Sequence, residues 1–211
     1  MRNRDLWQPT RVVKIRGQFR PSSDRRMVDV SSRFIVALLC RFYDQAICRY
    51  ARGKLLDLGC GHVPYYQMYA PLVSDSVCID WPQSAHSSPH LDALADLNHS
   101  IPLPDNSFDT ILLTDVLEHI AEPQILLREI ARVMKPGGCL IAGVPFLYWL
   151  HETPNDYYRY TEFALRRLCE RSGLTVVSLR AYGAAPEVLM DVIGKLLAAV
   201  PVFRLLARDY G

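Results

Sequence analysis

Several absences bound this chain of 211 residues before any motif is considered. No apolar run reaches the roughly 18 residues that a membrane span needs, and the arginine-rich N-terminus has no signal-peptide core. The six cysteines, at 40, 48, 60, 78, 139 and 169, include no close pair of the kind that grips zinc, and two of them fall inside apolar strand patterns. That usage fits a reduced, cytoplasmic protein. Internal repeats and low-complexity tracts are also missing, which excludes solenoid architectures.

What is present suits one good core with an extension, since 50% of the residues are hydrophobic. The formal charge of +2 is unevenly spread: Met1 to Lys54 carry +9 and the remainder −7. Residues 1–52 therefore read as a basic, partly helical extension, either a solvated arm or an anion-attracting lid or membrane-surface patch. The core is expected over residues 53–182 and an apolar helical segment over 183–211. The basic arm has no recognisable nucleic-acid reader, so no nucleic-acid partner is expected.

Strand and helix patterns alternate from Gly53 onward. Strands are predicted at Lys54 to Leu58, Ser76 to Ile79, around Leu91 to Leu94, Thr110 to Thr114, Cys139 to Val144 and Leu174 to Leu179. The clearest helix lies in "EPQILLREIARVMKPGG", with Pro136-Gly137-Gly138 as its expected stop. Another lies in "TEFALRRLCERSG", capped by Thr161 and ended by Gly173. This alternation predicts an α/β fold with a doubly wound, mostly parallel sheet, whose ligands bind beyond the C-terminal strand ends.

The first strand runs into "GKLLDLGCGHVPYY", where Gly59-Cys60-Gly61 turns the chain over that crevice. A dinucleotide fingerprint would place glycine at 64, but Pro64 stands there, and no Lys-Ser/Thr pair follows to cradle a phosphate. The strand also carries an acid, Asp57, which points to a cationic or amino-bearing ligand.

Taken with "VCID", "ADLNHSIPLPDNSFDTILLTDVLEHI" and "EIARVMKPGGCLIAGVP", the segment "LLDLGCG" resembles the class I methyltransferases that use S-adenosylmethionine, in their small-molecule, type 11-like branch. The resemblance covers roughly Lys54 to Leu179 and implies a Rossmann-like methyltransferase fold. It implies that Asp57 and the backbone of Gly59, Cys60 and Gly61 hold the amino acid end of the cofactor. It further implies that Asp80 binds both ribose hydroxyls, that Asp96 and the Leu97 backbone read the adenine, with Asp92 as competitor, and that Trp81 packs beside the ring. Thr114 would line the methionine portion. The chain departs from the family's usual third glycine at Val63, which Pro64 is expected to push toward extended geometry.

After the fourth strand, Asp115, Glu118 and His119 share one helical turn. Some quinone-pathway methyltransferases bind magnesium with a similar acidic-His cluster. Here no metal is expected, because a Glu-His pair at a helix start commonly caps and packs. After the fifth strand, "VPFLYWLHETPNDYYRYTEFAL" is rich in aromatic and hydrogen-bonding side chains and is placed to cover a substrate. His151, Asp156 and Tyr160 are its catalytic candidates, and Tyr157, Tyr158 and Arg159, with His119, its substrate contacts; an Asp156–Arg159 ion pair with packed tyrosines is the structural alternative. Similar segments occur in bacterial methyltransferases of cell-surface polysaccharide or lipid-linked sugar pathways.

The expectation is methyl transfer to oxygen on a small or glycan-like acceptor. The alternatives are N- or C-methylation of another metabolite such as a quinone precursor, and a cofactor-binding protein without turnover. The C-terminal "VLMDVIGKLLAAVPVFRLLARDYG" is helical in pattern where a final strand is usual. It is either a cover for the sheet or a weak peripheral contact with an anionic membrane.

Overall fold

The computed structural model describes residues 1–84 and 88–199. In chain order its elements are β1 (Val12–Ile15), β2 (Gln18–Pro21), α1 (Arg33–Tyr50), β3 (Lys54–Leu58), α2 (Tyr66–Tyr69), β4 (Asp75–Asp80), β5 (Ala93–Leu94), β6 (Phe108–Thr114), α3 (Pro123–Val133), β7 (Met134–Gly143), α4 (Glu162–Arg171) and α5 (Ala185–Ala199). They group into two compact units, residues 1–8 with 46–179, and residues 9–45 with 180–199.

The larger unit is built on a five-stranded parallel sheet of order β5-β4-β3-β6-β7. Both faces are covered, so β3 and β6 are buried along almost their whole length. Leu56 and Leu58 of β3, with Ile111 and Leu113 of β6, share a core with Leu126, Leu127, Ile130 and Val133 of α3. The chain leaves β3 toward β4 on one side and later returns to lay β6 on the other. The end of β3 is thus the switch in strand order where a doubly wound sheet opens a crevice.

Three local expectations are corrected. The helix α3 ends at Val133, ahead of Pro136-Gly137-Gly138, because the N–H groups of Asn106 and Ser107 take its last carbonyls, Arg132 and Val133, at 3.0 and 2.8 Å. The Pro-Gly-Gly stretch instead lies within β7, where the register against β6 shifts and Gly137 adopts a φ of 74°. Leu174 to Leu179 form no strand: Leu174 packs on the core, but the segment joins no ladder and Val177 is exposed. Among the described residues the sheet therefore ends at β7, and the final strand usual to such folds is missing. Val63, expected to be extended, has a φ of 50°. Its N–H closes a turn onto Cys60 O at 2.8 Å while its carbonyl accepts from Tyr66 N and the Trp7 indole, and these bonds outweigh the push of Pro64.

The smaller unit holds an antiparallel hairpin, β1 with β2, turned by Arg16 and Gly17 at φ of 50° and 82°. Left-handed geometry at both positions matches the right-handed twist of the flanking strands. In the same unit α5 packs beside Val30–Ser32 and leaves Leu189, Met190 and Leu196 more than half exposed. No helix of the described residues is long and apolar enough to cross a membrane. The expected continuation of this helical segment through Pro201 and Arg204 lies outside the described residues.

Candidate functional site

The glycine turn is fixed by its neighbours. Gly59 and Cys60 both donate to Ile79 O, at 2.8 and 3.2 Å, which ties the turn to the end of β4. Gly59 has a φ of 66°, and a Cβ there would stand 2.4 Å from Val116 Cγ2. Only glycine satisfies both the backbone angle and that contact. Gly61 is left-handed too, at 50°, and Cys60 is buried.

Two carboxylates flank the turn. Asp57, 2% exposed, faces α2, where the Tyr69 hydroxyl donates to it at 3.4 Å. Burial pushes its pKa up to about 7, and the nearby charge of Asp80 adds to the shift. Asp80 closes β4, nearly buried, with one oxygen accepting the Trp81 N–H at 2.8 Å. Trp81 lines an open hollow with Arg2, Asn3 and Leu94. Two acids held close together in a buried place suit a cationic ligand that also offers hydroxyl donors.

Asp96 and Asp92 take different positions. Asp92 accepts the Cys78 N–H at 2.8 Å and so stitches β4. Asp96 is wrapped by its own turn, accepting from the backbone and side chain of Asn98 at 2.9 Å and facing His99. Burial alone would raise its pKa, but those bonds hold it below the usual carboxylate range. Leu97 is buried in the core. Thr114 is the last residue of β6, paired with Gly143.

Beyond Thr114 the chain reaches a second polar cluster. Val116 packs over Gly59, and two residues later Glu118 is fully buried with no hydrogen-bond partner on either carboxylate oxygen among the described residues. His119 Nε2 and His151 Nε2 lie 3.8 and 3.9 Å from Glu118 Oε1. Burial, and then the charge of Asp115, push the pKa of Glu118 up to about 8. The two imidazoles pack edge to face at 4.7 Å. Tyr148 packs edge to face on His151 at 5.1 Å.

The segment after β7 is pinned over this cluster. Asp156, its side chain 2% exposed, binds Arg159 through both oxygens at 2.6 and 2.8 Å and accepts the His151 N–H at 3.0 Å. Arg159 first, with burial opposing, holds the Asp156 carboxyl well below the usual range. Arg159 also donates to the carbonyls of Tyr148 and Trp149. The Tyr157 and Tyr158 N–H groups both donate to Glu118 O, at 2.9 and 3.3 Å, and the Tyr158 hydroxyl donates to Ala121 O. Tyr160 is buried in the core with its hydroxyl donating to Leu117 O at 3.0 Å.

The structure thus brings His151, His119 and Asp156 together, and shows Arg159 bound within the lid. Two partners were not singled out as site residues in the sequence, Glu118 and Tyr69. Glu118 was visible as an acid beside His119, but only the fold brings His151 to it from 33 positions away.

The parallel sheet has its glycine turn at the switch point, with one acid near the end of β3 and another at the end of β4. Residues 56–142 match the methyltransferase domain family. The chain is similar to proteins named as S-adenosylmethionine-dependent methyltransferases, among them one from Mycobacterium tuberculosis that is 25% identical over 49% of this chain and 39% of that protein. It is similar to a demethylmenaquinone methyltransferase of Renibacterium salmoninarum, 30% identical over 54% of this chain and 49% of that protein. A second, from Paenarthrobacter aurescens, is 33% identical over 54% and 46% of the two chains. The chain spans about half the length of these curated relatives or less. Among solved structures, an S-adenosylmethionine-dependent methyltransferase from Aquifex aeolicus shares the fold with a TM-score of 0.54 at 20% identity, over 75% of this chain and 90% of that one. A chain in the complex of the Haloferax volcanii Trm112 methyltransferase activator with a methyltransferase gives 0.57 at 20% identity, over 69% and 74%.

Proposed function

We propose that the protein transfers a methyl group from S-adenosylmethionine to a hydroxyl oxygen of a small or glycan-like acceptor. The observation that carries this reading is that Glu118 and His119 follow Val116, the residue packed on Gly59, by two and three positions, and that the fold sets His151 against Glu118. Proton-accepting groups then stand next to the cofactor crevice.

The residues fit the cofactor. Asp57, whose buried carboxyl has no cation paired with it among the described residues, suits its ammonium; Gly59-Cys60-Gly61 permits close backbone approach; Asp80 offers a carboxylate for the ribose diol. Asp96, Leu97 and Trp81 are assigned to the adenine side. When bound, S-adenosylmethionine supplies an activated methyl group on a sulfonium, open to in-line displacement. The remaining task for the protein is to orient the acceptor and take its proton.

His151 is placed for the second task. Its Nδ1 faces Trp149 O at 3.1 Å and Asp156 Oδ2 at 3.2 Å, both acceptors, so Nδ1 carries the proton and Nε2 presents a lone pair toward Glu118. The Asp156 carboxylate orients the ring and stabilises its protonated form. Tyr148, Tyr157 and Tyr158 supply aromatic surface on which a sugar or ring could rest.

A second reading is methylation at carbon of a quinone precursor, favoured by the names of the relatives from Renibacterium and Paenarthrobacter. Incubation of the full chain with methyl-labelled S-adenosylmethionine, separately with glycan, polar and lipid fractions of a bacterial extract and with demethylmenaquinone, tests both. Label on an oxygen in a polar or glycan fraction supports the first reading. Label on a quinone carbon replaces it with the second, and no label anywhere leaves a binding protein without turnover.

A further inference from the structure

We propose that Glu118, His119 and His151 form a binding site for one divalent first-row transition ion. Two independent features of the cluster lead there. The first is the carboxylate, fully buried, with neither oxygen hydrogen bonded among the described residues. Leaving such a group without a partner is costly, so a buried carboxyl of this kind calls for a polar partner or a cation on its oxygens.

The second feature is the tautomer of each imidazole. His119 Nδ1 lies 2.7 Å from Asn155 O, and His151 Nδ1 lies near Trp149 O and Asp156 Oδ2. Carbonyl and carboxylate oxygens only accept, so both Nδ1 atoms donate and both Nε2 atoms turn their lone pairs toward Glu118. Metal-bound histidines are oriented in this way, with the far ring nitrogen donating to a carbonyl or carboxylate.

Three electron-pair donors therefore converge, all within 4.8 Å of one another. The Nε2 to Oε1 distances of 3.8 and 3.9 Å are too long for a proton to bridge. A metal with ligand bonds of about 2.0–2.2 Å spaces tetrahedral donors about 3.4 Å apart, so side-chain rotations that close the two carboxylate-imidazole distances by about half an ångström, and the widest pair by up to about 1.4 Å, complete the set. Two imidazoles with one carboxylate select transition ions such as Zn²⁺ or Co²⁺ over Mg²⁺, which takes oxygen ligands. Three protein ligands leave coordination open to water or an acceptor oxygen.

Use of the ion in catalysis rests on the proposed transfer to a hydroxyl acceptor: His151 Nε2 is then a ligand, and the ion replaces it in making the hydroxyl acidic. Binding of the ion does not depend on that reading. The test uses the full chain without an affinity tag, stripped by chelator and dialysed, then titrated with Zn²⁺ by calorimetry and with Co²⁺ by visible absorption, with Mg²⁺ for comparison. One equivalent of Zn²⁺ or Co²⁺ is expected, in preference to Mg²⁺, and Glu118→Gln and His151→Ala should each weaken it by about 10-fold or more. Circular dichroism checks both folds, and His151→Ala, on the lid, decides the matter if Glu118→Gln does not fold. Absence of stoichiometric binding by the parent, or binding undiminished in the folded variants, overturns the site. Methyl transfer by metal-free protein that binds no ion sinks the metal site alone, whereas metal binding with no transfer in any fraction sinks the proposed reaction alone.

Discussion

At the scale of single residues, Asp57 is the proposed link between the fold and the cofactor. Burial raises its pKa to about 7, against an ordinary carboxylate value near 3.8. Between those values the folded state binds more protons than the unfolded state, so this group makes stability fall as pH rises from about 4 to about 7. Below that window both states are protonated, and above it the penalty is constant. Asp57→Asn should therefore melt near the parent at pH 4 and above it at pH 8 in ligand-free protein. Saturating S-adenosylmethionine should reverse the order at pH 8, because its ammonium needs the charge. Thermal denaturation across pH, with and without cofactor, checks both parts, and a difference that does not change with pH removes the cation argument. Val63 shows the limit of residue-level reading. A proline after it argues for extended backbone, yet turn bonds keep the left-handed geometry of the glycine it replaces, at a strain of about 1–2 kcal/mol.

Elements were legible in proportion to how much of their structure is local. The strands β3, β4 and β6 and the helix α4 follow from apolar runs and caps, and Thr161 does accept from Ala164 N at 3.2 Å. The end of α3 was misread because its captors, Asn106 and Ser107, lie far back in the chain. Leu174 to Leu179 alternate like a strand, but a strand needs a neighbour and β7 does not supply one. The β1-β2 hairpin was overlooked because Arg-Gly is a weak turn signal beside Asn-Gly. In the lid, the acid-arginine pair was foreseen as one alternative, whereas the meeting of His151 with Glu118 needed the fold. This division yields a paired expectation. His151→Ala should lower turnover by about 10²-fold or more while cofactor affinity stays the same. Tyr160→Phe, which removes only the bond to Leu117 O, should cost about 1 kcal/mol of stability and leave turnover close to normal. Rates of label transfer to the responsive fraction decide between them, and a large loss in Tyr160→Phe with little in His151→Ala would invert the roles assigned to the lid.

At the scale of the whole molecule, the alternation of strands and helices announced the doubly wound sheet, and the order β5-β4-β3-β6-β7 sets the glycine turn at its switch point. The histidine cluster follows the next strand over, so the proposed cofactor and acceptor sites share one edge of one sheet. The division into two units could not be read from charge, because the first eight residues group with the sheet while residues 9–45 group with 180–199. The acceptor is the part least fixed by either sequence or fold, since the proposed cofactor contacts come from the sheet and the proposed substrate contacts from the segment after β7. The central claim is that this sheet edge is an S-adenosylmethionine site with Asp80 on the ribose. Isothermal titration of the full chain with S-adenosylmethionine, beside folded Asp80→Ala, tests it most directly. The parent should bind one equivalent, and the variant should lose about 1.5 to 3 kcal/mol, the range for hydrogen bonds to a charged group, or about 10- to 150-fold in affinity. Equal affinity in parent and variant would contradict the claim.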